Sequence, residues 1–226
     1  MPYAFILRAP AFFYGESWIG VDMGLSSTSF FNWSNSALFE SLLSILLVFF
    51  QAVLINRIVI INRLSNGIHL FSGLFYILFM SFIPETYYLS PVLLGNTFVI
   101  LSITELFYAY KKQEASGKIY NAGLWLGIAV LFYAPNLFLL AFGIIGISVL
   151  RVFKFKEMFQ FFIGFLNVVI LLGVYSFWKH GSLIYLSSFL NYTDLFNLKF
   201  SFQFYEIIKL VLFIIIVTIC IVSYSK

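Results

Sequence analysis

Apolar residues run through this chain in long unbroken stretches, separated by short segments where Gly, Pro, Lys and Arg collect. Seven such runs can be drawn. The first extends from about Ala37 to Ile55, the second from Ile68 to Ile83 and the third from Pro91 to Tyr108. The sixth extends from Met158 to Trp178 and the seventh from Ile207 to Val222. A helix needs about 20 residues to cross a hydrocarbon core of roughly 30 Å, and a backbone surrounded by lipid must satisfy its own hydrogen bonds. The pattern therefore predicts an all-α, polytopic transmembrane helix bundle of about seven membrane segments. Residues 37–226 form its single transmembrane domain, and residues 1–36 are expected to be an outer interfacial N-terminal tail.

The fourth and fifth runs lie together in Tyr120–Leu150, with Pro135 near the middle in the context YAPN. Two short helices of about 22–24 Å each fit this length at 1.5 Å per residue. They form either a thin-spanning hairpin or a re-entrant element at 120–150. Gly123 and Gly127 are spaced to let another helix approach closely, and tight packing is favoured over a substrate-lining role.

Composition narrows the class. Of 226 residues, 62% are hydrophobic and 10% charged, whereas soluble domains carry about 25% charged residues. The net charge of +4 does not form a nucleic-acid patch, because the basic residues sit in clusters between apolar runs. Arg57 and Arg63 follow the first run, Lys111, Lys112 and Lys118 the third, and Arg151, Lys154 and Lys156 the fifth. With Lys226, these make nine of the 13 basic residues on one side. The positive-inside rule assigns that side to the cytoplasm; read as a bacterial inner-membrane protein, the chain is expected to have its N-terminus periplasmic and its C-terminus cytoplasmic. The N-terminus lacks a basic region and a cleavage site, so no removable signal peptide is expected. Translocation of residues 1–36 then calls for an upstream helix, or for Met1–Tyr14 to lie in the outer interface. The outer segment Gly181–Glu206 has aromatic residues at helical spacing and reads as an interfacial amphipathic element. The single cysteine, Cys220, makes neither a disulfide framework nor a thiolate metal site.

The segments QAVLINRIVIINRL (51–64), FIPETYYLSPVLLGN (82–96), YNAGLWLGIAVLFYAPNLFLL (120–140) and FKFKEMFQFFIGFL (153–166) resemble an uncharacterised family of multi-pass membrane proteins from Bacteroidetes. That resemblance covers Met1 to Trp178 and implies fold and lineage, with no catalytic residues. More distantly, the pattern is similar to the membrane core of GT-C-type polyprenyl-phosphate-sugar glycosyltransferases. Leu7–Gly24 would stand where their first outer loop, which bears the carboxylates, belongs. The Asp-Asp or Asp-Glu pair of those enzymes is missing here.

Under that resemblance, Glu16 or Asp22 would be the general base on an acceptor and Arg8 the cation steadying a departing phosphate. Glu85 would join them at an outer, substrate-binding cleft. The alternative is a solvated tail with ordinary charges. Within the runs, Glu40 and Gln51 fall on nearly one helix face. Glu40 is expected to reach the headgroups and Glu105 to pair with a basic loop residue. His69 and His180 are too isolated for a metal site, which takes three or four converging ligands, and no nucleotide, hydrolase or zinc-protease motif occurs. No cofactor and no metal are expected. The expected partners are the lipid bilayer, other membrane proteins and, on the glycosyltransferase resemblance, polyprenyl-phosphate lipids, but not nucleic acid. Three functions follow in order of weight: a non-enzymatic envelope-biogenesis or complex-forming membrane protein, a GT-C-like glycosyltransferase, and a small-solute transporter.

Overall fold

A computed structural model describes residues 37–64, 71–81, 86, 89–110, 115–150 and 155–180. All of these fall in the first of two compact units, Met1–Tyr192 and Thr193–Lys226. Among the described residues the chain is helical, without strands. The helices are α1 (Ala37–Ile61), α2 (Phe71–Ser81), α3 (Pro91–Ala109), α4 (Ser116–Phe132), α5 (Leu139–Leu150) and α6 (Phe155–His180), with a 3-10 turn at Ala134–Phe138. Three segments are long and apolar enough to cross a membrane: Phe39–Ile61, Pro91–Ala109 and Phe155–Trp178. These suit a membrane protein. The seventh expected segment and the outer amphipathic element lie outside the described residues.

Local sequence sets the helix ends. Helix α1 continues six residues past the expected Ile55, so Arg57 lies inside it and not in the following loop. It stops in a Schellman arrangement, with Arg63 N–H donating to the Ile60 carbonyl at 3.2 Å and Leu64 N–H to the Val59 carbonyl at 3.1 Å. Arg63 takes the left-handed conformation at φ 51°, a place usually held by glycine because a Cβ there costs about 1–2 kcal/mol. Helix α2, at 11 residues, is shorter than the expected run and rises only about 16 Å. The start of α3 is capped by Ser90, whose hydroxyl accepts from Leu93 N–H at 3.2 Å, with Pro91 in the first turn. Pro135, with no N–H to donate, falls in the 3-10 turn that separates α4 from α5.

Interhelical contacts fix the directions. Asn56 meets Ser72, and Gln51 meets Tyr76, so α2 runs antiparallel to α1. Gln51 also reaches Leu93 and Thr97, seven and eleven residues after Ser44's partner Thr86, so the chain enters α3 parallel to α1. Ser102 bonds to Ala122, and Glu105 pairs with Lys118, making α4 antiparallel to α3. Helix α6 runs parallel to α4, because Gly123 lies against Phe161 and Gly127 against Val168. The segment between them returns alongside α3, with Asn136 beside Gly95 and Gly146 near Leu106. The tip of this hairpin thus reaches the level of Gly95, about 6 Å from the start of α3 at helical rise. One consequence concerns charge. Arg57, Arg63, Lys118 and Lys156 all belong to the same end of the bundle.

The outward faces of α1 and α6 are apolar, while polar residues join apolar ones such as Ile45, Val48 and Phe161 inside. Ser41, Ser44, Gln51 and Asn56 are buried on α1, while Phe39, Leu42, Leu46, Phe49 and Val53 are exposed. On α6, Phe155, Phe159 and Trp178 are 77%, 71% and 88% exposed, whereas Glu157 and Ser176 are buried. Polar residues inward and apolar residues outward suit lipid as the solvent, since lipid chains give apolar side chains no reason to turn inward.

Candidate functional site: a polar hub on α1

Gln51 is the residue on which three helices converge. It lies 14 residues into the 25-residue α1, close to its midpoint, and is fully buried. Its Nε2 donates to the Leu93 carbonyl at 2.9 Å and to Thr97 Oγ1 at 2.6 Å, both on α3. From α2, the Tyr76 hydroxyl donates to Gln51 Oε1 at 2.6 Å. Asn96 Nδ2 in turn donates to the Tyr76 hydroxyl at 2.7 Å, and Thr97 Oγ1 also reaches the Leu93 carbonyl at 3.2 Å. Both Gln51 amide protons and the Tyr76 hydroxyl proton are therefore used. Among the described hydrogen bonds the participants are amide, peptide and hydroxyl groups, and none is charged. A buried amide left without partners would cost about 1–3 kcal/mol. The hub's chemical capacity is accordingly to hold three helices in one register.

The same face of α1 carries two further polar stations. Toward one end, the Ser44 hydroxyl donates to the Thr86 carbonyl, and the Thr86 hydroxyl donates to the Met80 carbonyl at the close of α2. Toward the basic end, Asn56 Oδ1 accepts from Ser72 Oγ at 2.7 Å and from Gly73 N–H at 2.8 Å. The side chain of α1 therefore caps the first turn of α2 from outside. Because Gly73 N–H requires an acceptor, the oxygen of the Asn56 amide must face it. An added Cβ at Gly73 would overlap the Asn56 amide and press on the Ala52 carbonyl oxygen.

In the second half of the bundle the contacts are those of close packing. An added Cβ at Gly123 would overlap the Phe161 carbonyl oxygen, and one at Gly164 the Tyr120 carbonyl oxygen. At Gly127 it would stand 2.9 Å from Val168 Cβ. These glycines let the α4 and α6 backbones touch, and Asn167 Nδ2 closes the edge by donating to the Tyr120 hydroxyl at 2.6 Å. Phe98 of α3 stacks with Trp125 and Phe132 of α4, with ring centres 5.8 and 5.3 Å apart.

The residues singled out in the sequence divide into two groups. Glu16, Asp22, Arg8 and Glu85, the proposed catalytic and substrate-binding set, lie outside the described residues, as do His69 and the side chain of His180. Glu40 stands in the first turn of α1, half-buried, where a carboxylate is favoured by the helix dipole. Glu105 pairs with Lys118 at 3.0 Å, and the same ammonium lies 5.5 Å from the centre of the Tyr108 ring. Glu105 therefore takes a basic partner at the start of α4, in line with the pairing expected for it. Gln51 is buried in the bundle. Its partners Tyr76, Asn96 and Thr97 were not singled out, although Asn96 and Thr97 are adjacent polar residues inside an apolar run, which is a signal sequence alone offers. Among the described residues no group of three or more His, Cys, Asp or Glu is placed to hold a metal ion.

Comparison of the chain with protein-family profiles, with characterised proteins and with solved structures finds no match. The reading of its function rests on its own residues.

Proposed function

We propose that this chain is a multi-pass protein of a bacterial inner membrane that acts as a non-enzymatic component of envelope biogenesis or of a membrane complex. One observation carries the reading. Gln51, fully buried near the middle of α1, spends its amide protons on helix-to-helix bonds, as a residue that builds a scaffold does. The apolar outward faces of α1 and α6 support placement in lipid. Collection of Arg57, Arg63, Lys118 and Lys156 at one end supports a cytoplasmic assignment for that end. With seven crossings, that assignment supports a periplasmic N-terminus and a cytoplasmic C-terminus. The hairpin of α4 and α5 runs nearly the length of α3, which supports a thin-spanning pair over a re-entrant one.

The test is genetic. The gene is deleted and rescued with Glu16→Gln, Asp22→Asn or Glu85→Gln, reading growth and envelope glycans at matched membrane abundance. Full rescue by all three supports the non-enzymatic reading. Loss of rescue by one isosteric change would replace it with the glycosyltransferase-like reading, in which Glu16 or Asp22 acts as base and Arg8 and Glu85 hold substrate.

A further inference from the structure

The polar station at the basic end of α1 differs from the hub in one respect. The Asn56 side chain is 4% exposed, and its Nδ2 has no hydrogen-bond partner. At the hub each amide proton of Gln51 has an acceptor; here an amide donor is buried and unanswered. A buried donor without an acceptor is unfavourable.

The donor lies at the end of the bundle where α1 stops and α2 starts. Asn56 sits at the first turn of α2, an 11-residue helix whose N-terminal end carries the positive pole of its dipole. Arg57 follows on α1, and neither Arg57 nor Arg63 forms an ion pair among the described residues. Arg63 holds a left-handed conformation that glycine would adopt at lower cost. An arginine near a helix C-terminus is favourable for α1 by itself, so the arginines alone would signify little. The buried, unanswered amide is what distinguishes the place.

We infer that the basic end of the α1–α2 pair, built from Asn56, Arg57, Arg63 and the first turn of α2, is a binding site for a phosphate oxygen at the membrane surface. Asn56 Oδ1 holds α2 through Ser72 and Gly73, and Nδ2 donates to the phosphate. The arginines supply charge, with guanidinium geometry suited to phosphate. Gly73 is the position that admits the amide between the two helices, and a slight outward shift of the first turn of α2 brings an oxygen to Nδ2. The phosphate belongs either to an anionic lipid headgroup or to a soluble phosphate. The inference is independent of whether the protein is an enzyme.

The test uses the full chain in nanodiscs of phosphatidylcholine, with or without phosphatidylglycerol, and a third arm of phosphatidylcholine discs with added inorganic phosphate. Thermal stability and lipid retained in native mass spectra are read. The variant Asn56→Asp keeps an acceptor for Ser72 and Gly73 but replaces the donor with an oxygen that repels phosphate. Arg63→Gln removes charge without touching the cap. We expect phosphatidylglycerol to raise the wild-type midpoint and to be retained. Asn56→Asp should lose at least tenfold in retention with its helicity intact, and Arg63→Gln should lose severalfold. A rise with inorganic phosphate, lost in Asn56→Asp, would identify the soluble form as the ligand of the same site. Equal retention by wild type and both variants, or no response to either phosphatidylglycerol or inorganic phosphate, would overturn the inference.

Discussion

Replacing Gln51 by leucine removes the hub's central side chain at nearly constant volume. Three hydrogen bonds disappear: those to the Leu93 carbonyl, to Thr97 Oγ1 and from the Tyr76 hydroxyl. Interhelical hydrogen bonds inside membranes average about 0.6 kcal/mol and reach about 1.7, so three of them amount to roughly 2 kcal/mol. Leucine also removes a buried amide's desolvation cost, which offsets part of that loss. The expected cost of Gln51→Leu is therefore about 1–2 kcal/mol. A second variant isolates the pairwise part. Tyr76→Phe deletes the hydroxyl that donates to Gln51 and accepts from Asn96. In a double-mutant cycle, the combined variant should be less destabilised than the sum of the singles by about 0.6 kcal/mol, and by at most about 1.7. The assay is reversible unfolding in mixed micelles, followed by helicity and by tryptophan emission, with Trp125 reporting on the second half. A coupling energy indistinguishable from zero, or a Gln51→Leu variant more stable than wild type, would refute the hub as a register-setting element.

Other expectations follow from the same geometry. Gly123→Ala and Gly164→Ala each drive a methyl into a facing backbone carbonyl, so each should cost about 1–3 kcal/mol or more by overpacking. Gly173→Ala, with nothing within 4 Å of its added Cβ, should be neutral or gain up to about 1 kcal/mol from helix propensity, measured in the same unfolding assay. The Glu105–Lys118 pair should behave asymmetrically, because the glutamate is 17% exposed and the lysine 40%. Lys118→Met strands a largely buried carboxylate and should cost more than Glu105→Gln, whose own effect stays within about 1 kcal/mol after solvent screening. For the hairpin, single cysteines at Gly117 and Leu137 in a Cys220→Ser background should react with a membrane-impermeant maleimide from opposite sides. Labelling of both from one side would make the hairpin re-entrant.

The fold was legible wherever solvent alone decided it. Continuous apolar runs gave α3 and α6 within a few residues and α1 within six, and Pro135 gave the break between α4 and α5. Boundaries slipped where a cap ruled. The end of α1 depends on a left-handed arginine, which no propensity favours at that place. The brevity of α2 reflects ends fixed by side chains of other segments, Asn56 at one end and Thr86 at the other. Gln51 was marked out by sharing a helix face with Glu40, and Gly123 and Gly127 as a spaced pair. Their partners were not, because Tyr76 and Gly164 are common residues in membrane helices. Only three-dimensional register brings Tyr76 to Gln51 across 25 positions of chain.

The parallel course of α4 and α6 has a bearing on how the chain must be built at the ribosome. Helix α4 emerges with its glycine face bare, and the surface that covers Gly123 and Gly127 belongs to a helix made after α5 has already turned back. Throughout that interval the newborn bundle holds a groove that its own next helix is shaped to fill. Any small-faced helix from another nascent chain would find the same groove open. Slowing synthesis between residues 150 and 155 should therefore lengthen the period of mispairing, while a pre-made α6 supplied as a separate fragment should shorten it.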